Sequence, residues 1–235
     1  MISLWRICFS LVLLTAFLPG ESLKGKVQLA GSGDPAVRGR SDYSGVVVWL
    51  EPLDLPPDTE AGLAVSTMVQ KDKKFSPHVL AIPLGGTVEF PNLDPIYHNA
   101  FSNFSGQPFD IGLYPPGTKR TVRFKHAGVV RVFCNIHPAM SAVIVVLKTP
   151  YFAVSNYDGA FEIKNVPAGK YRLRVFHERA LPATLEALEH EIVVGPASLS
   201  MPLLTVSETG YLPAPHQNKY GHDYPPAVEG YRLPK

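Results

Sequence analysis

The segment Val129–Met140 reads Val-Val-Arg-Val-Phe-Cys-Asn-Ile-His-Pro-Ala-Met and predicts a β-strand that ends at a short loop. β-Branched residues dominate its first half, as is typical of strands. The loop has the spacing C-x-x-H-x-x-M, with Cys134, His137 and Met140 at the marked positions. The chain then re-enters a predicted strand, Ala142–Lys148. So short a loop brings all three side chains to one point at the end of a sheet.

Strand-like segments of this kind cover most of the chain. The 23 prolines and 19 glycines are spread along it, which suits short strands joined by turns and argues against long helices. We therefore expect an all-β protein in which 63–147 forms a Greek-key β-sandwich. Leu181–Leu188 is predicted to form one or two helical turns. The other predicted strands are Lys24–Leu29, Gly45–Leu50, Ala64–Gln70, Val79–Ile82, Thr87–Phe90, Thr118–Lys125, Tyr151–Val154, Phe161–Ile163, Gly169–His177 and Glu189–Val194.

The N-terminus predicts export. Met1–Ser22 has a basic residue, Arg6, followed by the apolar run Ile7–Leu18 and small residues at its end, as in a cleaved signal peptide. The apolar run is too short for a spanning helix, and we expect no membrane span in the mature chain. Cleavage after Ser22 would place the protein in the periplasm or outside the cell.

Cleavage would also leave a single cysteine, because Cys8 lies within the signal and only Cys134 follows it. A lone thiol in an oxidising compartment is a liability unless it is buried or holds a metal. The net charge of +2 gives no indication of nucleic-acid binding.

The ligand types in the loop favour copper. Thiolate and thioether are soft ligands and imidazole is borderline, so the set can hold both Cu(I) and Cu(II). A second histidine must come from elsewhere, and His98 is the best candidate. Two histidines, Cys134 and a long axial Met140 are the ligands of a type 1, or blue, copper ion. Asn99 is predicted to hydrogen-bond the loop that carries Cys134 and so to join the two ligand segments.

Each of these residues also has a simpler interpretation. Cys134 and His98 could be ordinary core residues, and Met140 could fill a gap in the core. His78 is a possible additional ligand. Three imidazoles and a thiolate would favour a red or green copper centre or tetrahedral zinc, but we prefer a surface or core-edge position for His78.

From Leu63 to Lys148 the chain resembles the cupredoxins, with a loop length similar to that of plastocyanin-like proteins of the amicyanin type. The family's G-x-T-V-x-F-x-N strand corresponds to Gly86–Asn92, and its H-N pair corresponds to His98–Asn99. Both occur in the family's order before the C-x-x-H-x-x-M loop. The resemblance implies a Greek-key sandwich with one type 1 copper ion.

The flanking segments resemble the two halves of a carboxypeptidase regulatory-like, or transthyretin-like, β-sandwich. The first half would lie in 23–62 and the second in 149–206, with Asp158–Ile163 and Asn165–Val175 carrying the resemblance. We therefore expect the copper-binding sandwich, 63–148, to be inserted into the other sandwich or packed beside it. Bacterial methylamine-utilisation-like proteins combine similar parts. The tail 207–235 is expected to be extended or disordered and solvated.

These features favour a one-electron carrier and not an enzyme. A trinuclear copper cluster would need H-x-H pairs, and the sequence has none. A dinuclear copper centre would need two cysteines in one loop, and this loop has only Cys134. His137 is the expected electron exit toward a redox partner, either a dehydrogenase or a cytochrome. Phe133 is a second possible route, although packing is its simpler role. Two alternatives stay open: a copper-buffering protein, or a surface binding module with a structural metal.

Overall fold

A computed structural model describes residues 21–54, 64–103, 106–195, 199–213 and 215–224. Strands dominate these residues, and only two short helices accompany them, so the chain is all-β as predicted. In chain order the elements are β1 (Glu21–Ala30), α1 (Pro35–Arg40), β2 (Val47–Pro52), β3 (Val65–Thr67), β4 (Val69–Lys71), β5 (Lys74–Ser76), β6 (Val79–Pro83), β7 (Thr87–Pro91), β8 (Phe101–Ser102), β9 (Phe109–Asp110), β10 (Lys119–Arg123), β11 (Gly128–Phe133), β12 (Ser141–Leu147), β13 (Phe152–Val154), β14 (Ala160–Val166), β15 (Gly169–Phe176), α2 (Pro182–Ala187), β16 (His190–Val194), β17 (Leu199–Ser200) and β18 (Leu204–Ser207).

Strands β3–β12 form what we call the central sandwich. One sheet has the order β6-β12-β11-β8-β9, and the other has the order β10-β7-β3. The hairpin β4-β5 lies beside them. Alternate residues of the strands point inward, as expected for a sandwich, and bury a common core that includes Val88, Phe90, Val130, Val132, Ile144 and Val146.

The remaining strands form the outer sandwich. In one sheet β1 lies between β14 and β17 and also pairs with β18; the second sheet has the order β13-β2-β15-β16. Strands from the two ends of the chain therefore share both sheets: Val48 in β2 lies opposite Ala153 and Val175, and Gly25 in β1 lies opposite Phe161. Each fragment alone would leave sheet edges and an apolar face uncovered, so each needs the other as a partner. The domain limits and the transthyretin-like family of the outer sandwich stay predictions.

A third apolar cluster joins the two sandwiches, and β12 lies at its centre. Ala142, Ile144 and Val146 belong to the core of the central sandwich, whereas Val143, Val145 and Leu147 face the strand β2 of the outer sandwich. Both faces of β12 are therefore buried. This explains why Ser141–Leu147 is an almost continuous apolar run and not an alternating one.

Two regions have structure that the sequence did not predict. The segment between β1 and β2 contains α1, whose N-cap Asp34 accepts a hydrogen bond from the backbone N–H of Ala36 at 2.8 Å. The described residues beyond Ser207, which were expected to be extended or disordered, form no helix or strand. Two of them contact the central sandwich: His216 stacks on Phe133, and Tyr224 bonds to the backbone of Cys134. Aromatic stacking and hydrogen bonds therefore hold this segment in place, instead of the burial of aliphatic side chains.

Most of the predicted signal peptide lies outside the described residues. Strand β1 begins at Glu21, so cleavage after Ser22 would remove its first two residues and leave the fully buried Leu23 in place. Among the described residues, no helix has the length and apolar character needed to cross a membrane.

Candidate metal centre

The loop between β11 and β12 is closed by its own backbone. The N–H of Cys134 donates to the carbonyl oxygen of Met140 at 3.2 Å, and the N–H of Met140 donates to the carbonyl oxygen of His137 at 2.9 Å. β11 and β12 are antiparallel neighbours, which sets the two ends of the loop side by side. Cys134 and Met140 are both fully buried at the end of the central core. The short spacing thus turns the loop's side chains back toward the sandwich.

His98 reaches the same point from the segment between β7 and β8. A backbone bridge holds it: His98 and Tyr114 exchange N–H to carbonyl hydrogen bonds of 3.3 and 2.9 Å. Its Nδ1 lies 3.1 Å from Nδ1 of His137 and 3.9 Å from Sγ of Cys134, and His137 Nδ1 lies 3.6 Å from the same sulfur. His98, Cys134 and His137 are therefore brought together, as the sequence predicted.

These separations suit one metal ion bound to three atoms. Typical metal bonds of about 2.0 Å to nitrogen and about 2.3 Å to sulfur allow ligand atoms up to about 4 Å apart to share an ion. All three separations, 3.1, 3.6 and 3.9 Å, fall within that reach. Among the described residues, this is the group of His, Cys, Asp and Glu side chains placed to hold a metal. One thiolate with two imidazoles is a donor set that suits copper.

Asp94 orients His98, a role that the sequence did not predict. Its Oδ2 lies 2.7 Å from Nε2 of His98, so the carboxylate accepts the Nε2 proton and leaves Nδ1 free to bind a metal. Asp94 in turn accepts the backbone N–H groups of Asp72 at 2.6 Å and Lys73 at 2.9 Å. Burial opposes ionisation of Asp94, but these hydrogen bonds outweigh it and lower its pKa. The carboxylate therefore stays charged beside the imidazole.

Asn99 makes the predicted link between the two ligand segments. Its Oδ1 accepts the backbone N–H of Asn135, the residue after Cys134, at 2.6 Å. Its Nδ2 donates to Oδ1 of Asp110 at 3.3 Å. The residue that follows His98 thus fixes the loop that carries the other candidate ligands.

His137 is half-buried. Burial lowers its pKa, and the nearby His98 lowers it further, which favours the neutral imidazole over the charged form. Its residue neighbours in the loop, Ile136 and Pro138, are exposed. His137 is therefore the ligand of the group that approaches the surface.

His78, the possible additional ligand, is placed elsewhere. Its Nδ1 lies 3.0 Å from the carbonyl oxygen of Ser141, and its Nε2 pairs with Oε1 of Glu178 at 2.8 Å across the two sandwiches. The side chain is about half exposed and is not among the three clustered ligands. The preferred surface position agrees with this placement. Met140 lies in the core next to Cys134, and its role as axial ligand stays a prediction.

Phe133 points to the opposite side of β11 from Cys134 and is buried. Its ring packs against Phe101, with centroids 6.0 Å apart, and stacks on His216 at 4.0 Å. Packing therefore accounts for its position.

The fold and the clustered ligands define an all-β protein with a buried cysteine and two histidines placed to bind a metal. No family model matches the chain, and no curated protein matches it. Solved structures that are similar include a purple cupredoxin from Nitrosopumilus maritimus, 24% identical over 35% of this chain and 99% of that chain, with a TM-score of 0.32.

A copper-containing nitrite reductase from Thermus scotoductus SA-01 is 26% identical over 52% of this chain and 28% of that chain, with a TM-score of 0.34. A reduced Cu(I) form of an amicyanin mutant is 17% identical over 43% of this chain and 98% of that chain, with a TM-score of 0.34. These TM-scores are low, and the assignment of the metal centre rests on the residues themselves.

Proposed function

We propose that the chain is an exported type 1 copper protein that carries single electrons between redox partners. The observation that supports this most is the convergence of His98 Nδ1, Cys134 Sγ and His137 Nδ1 within 3.9 Å of one another. Met140 would supply the weak axial ligand. When bound, copper supplies a one-electron couple between Cu(I) and Cu(II).

The surroundings of the ligands suit electron transfer. Cys134 and His98 are fully buried, and Asp94 and Asn99 hold their segments through direct hydrogen bonds. Ligands fixed by the fold move little when the charge of the ion changes, so little has to reorganise as the electron moves. A site whose four ligands are all supplied by the chain also leaves little room for a substrate, which favours a carrier over an enzyme.

The partner would dock where His137 approaches the surface. Exposed apolar side chains occur on the segments that hold the ligands: Ile136 in the loop, Leu93 and Tyr97 before His98, and Leu113 beside its bridge partner Tyr114. An apolar contact there would bring a redox protein, such as a dehydrogenase or a cytochrome, close to the imidazole edge.

Cyclic voltammetry and self-exchange of the copper-loaded protein test this function. A carrier is expected to give a reversible couple and fast self-exchange, and to retain copper when a chelator of moderate affinity is added. Rapid loss of copper to that chelator would favour the buffering alternative. Copper that binds tightly but cannot be reduced and reoxidised would favour a structural metal in a binding module.

A further inference from the structure

The C-terminal segment 215–224 lies against the ligand loop. The hydroxyl of Tyr224 donates to the carbonyl oxygen of Cys134 at 2.8 Å, and the backbone N–H of Lys219 donates to Oδ1 of Asn135 at 3.0 Å. Nε2 of His216 lies 2.8 Å from the carbonyl oxygen of Pro138, which can only accept, so this nitrogen carries the proton. Three residues of one segment thus bond to the loop, about 80 residues earlier in the chain.

Two further contacts anchor the segment. Lys219 Nζ pairs with Oδ2 of Asp110 at 2.7 Å, and Asp110 also accepts from Asn99, which holds Asn135. The ring of His216 stacks on Phe133 with an interplanar angle of 25°, and the ring of Tyr224 meets His216 edge-on with centroids 5.2 Å apart. The Tyr224 hydroxyl is therefore held at the Cys134 carbonyl from several directions.

The hydrogen bond that Tyr224 donates is placed to act on the cysteine that would supply the thiolate ligand. Its donor proton points at the carbonyl group of Cys134, the residue whose sulfur would bind copper. The positive end of an O–H dipole near a metal centre favours the state with more electrons, which is Cu(I). Hydrogen bonding around the cysteine ligand is one of the ways in which proteins tune a copper potential.

We propose that Tyr224 is a positioning residue of the copper centre, which holds the Cys134 end of the ligand loop and raises the reduction potential of the ion. The proposal rests on the copper function proposed above. It gives the C-terminal segment a role in the site, since Tyr224 can reach Cys134 only when that segment is docked.

The test compares Tyr224→Phe with Tyr220→Phe in the full chain. Both substitutions remove one phenol hydroxyl from the same segment, but Tyr220 is 69% exposed, and Nζ of Lys219 lies over its ring, 5.1 Å from the centroid. Amide hydrogen exchange at Cys134 and Met140 in the metal-free protein reports opening of the loop. Voltammetry of the copper-loaded protein reports the potential.

In Tyr224→Phe, loss of one partly buried hydrogen bond is expected to speed exchange at both amides about fivefold. The equilibrium constant for reduction is expected to fall about threefold, which for a one-electron couple is a lower potential by about 28 mV. Tyr220→Phe is expected to change neither quantity. If Tyr224→Phe shows the same amide exchange rates and the same reduction potential as Tyr220→Phe, the proposal is overturned.

Faster exchange with an unchanged potential would also overturn it, because Tyr224 would then hold the loop without acting on copper. The spectrum of the wild-type protein separates this outcome from failure of the copper function itself. A wild-type protein without a thiolate-to-copper band refutes the function, whereas a band in all three proteins with equal potentials refutes only the role of Tyr224.

Discussion

Asp94 gives the most detailed prediction about the metal centre, because one buried carboxylate accepts three donors. Oδ1 accepts the N–H of Asp72, and Oδ2 accepts the N–H of Lys73 and Nε2 of His98, all at 2.9 Å or less. In Asp94→Asn the side chain keeps one oxygen, and the amide group that replaces the other cannot accept. At least one of the three donors therefore loses its partner.

The expected magnitude follows from these contacts. A buried donor left without a partner costs about 1–3 kcal/mol, and bonds that remain lose their charge assistance. We expect the free energy of unfolding of the metal-free protein to fall by about 2–4 kcal/mol. Because Nε2 of His98 loses its anionic acceptor, the affinity for copper is expected to fall about 10- to 100-fold, as for other groups that orient metal-binding histidines.

Urea unfolding of the metal-free protein and competition with a Cu(I) chelator measure the two effects. Asp158→Asn is the matched control, because it removes the same charge at an exposed turn residue of the outer sandwich. If Asp94→Asn matches this control in both stability and copper affinity, the carboxylate does not orient His98 and the reasoning fails.

Three further predictions concern other parts of the structure. Met140→Leu should keep the thiolate-to-copper band and raise the potential, whereas Met140→Gln should lower it; equal potentials in voltammetry would remove Met140 from the ligand set. The hydrogen bond with Glu178 raises the pKa of His78. While Glu178 is ionised, the pair therefore stabilises the fold most below the ordinary histidine pKa of about 6.5, and its contribution is lost as the pH rises through the raised pKa of His78. The melting temperature of the metal-free wild type should therefore fall more between about pH 6 and pH 8 than that of His78→Gln, and parallel curves would contradict this. Glu208→Gln removes the carboxylate that Arg179 and the buried His177 share and should cost about 3 kcal/mol in urea unfolding; a cost near zero would show that the cluster does not stabilise the fold.

The strands and two of the candidate ligands could be predicted because their signals are local. The loop spacing C-x-x-H-x-x-M alone places Cys134 and His137 together, and the β-branched run after it predicts β12. That β12 is buried on both faces was beyond the sequence, because its second face depends on β2 from a distant part of the chain. The pairing of the chain ends followed from a simpler argument, since each fragment alone has too few strands to be stable.

Two other groups that support the site, Asp94 and Tyr224, were harder to predict. Asp94 lies four residues before His98 in a segment without periodicity, and its role depends on the turn between β4 and β5, which supplies Asp72 and Lys73. The spacing of a carboxylate four residues before a ligand histidine was the available signal. Tyr224 lies in a segment poor in aliphatic residues, and composition alone gave no sign that aromatic stacking and hydrogen bonds would dock it.

The visible spectrum of the copper-loaded protein tests the central claim most directly. If Cys134, His98 and His137 bind one type 1 copper ion, the wild-type protein shows an intense thiolate-to-copper charge-transfer band, and Cys134→Ser abolishes that band while the protein stays folded. A colourless wild-type protein that binds only zinc, or a band that survives in Cys134→Ser, would contradict the account.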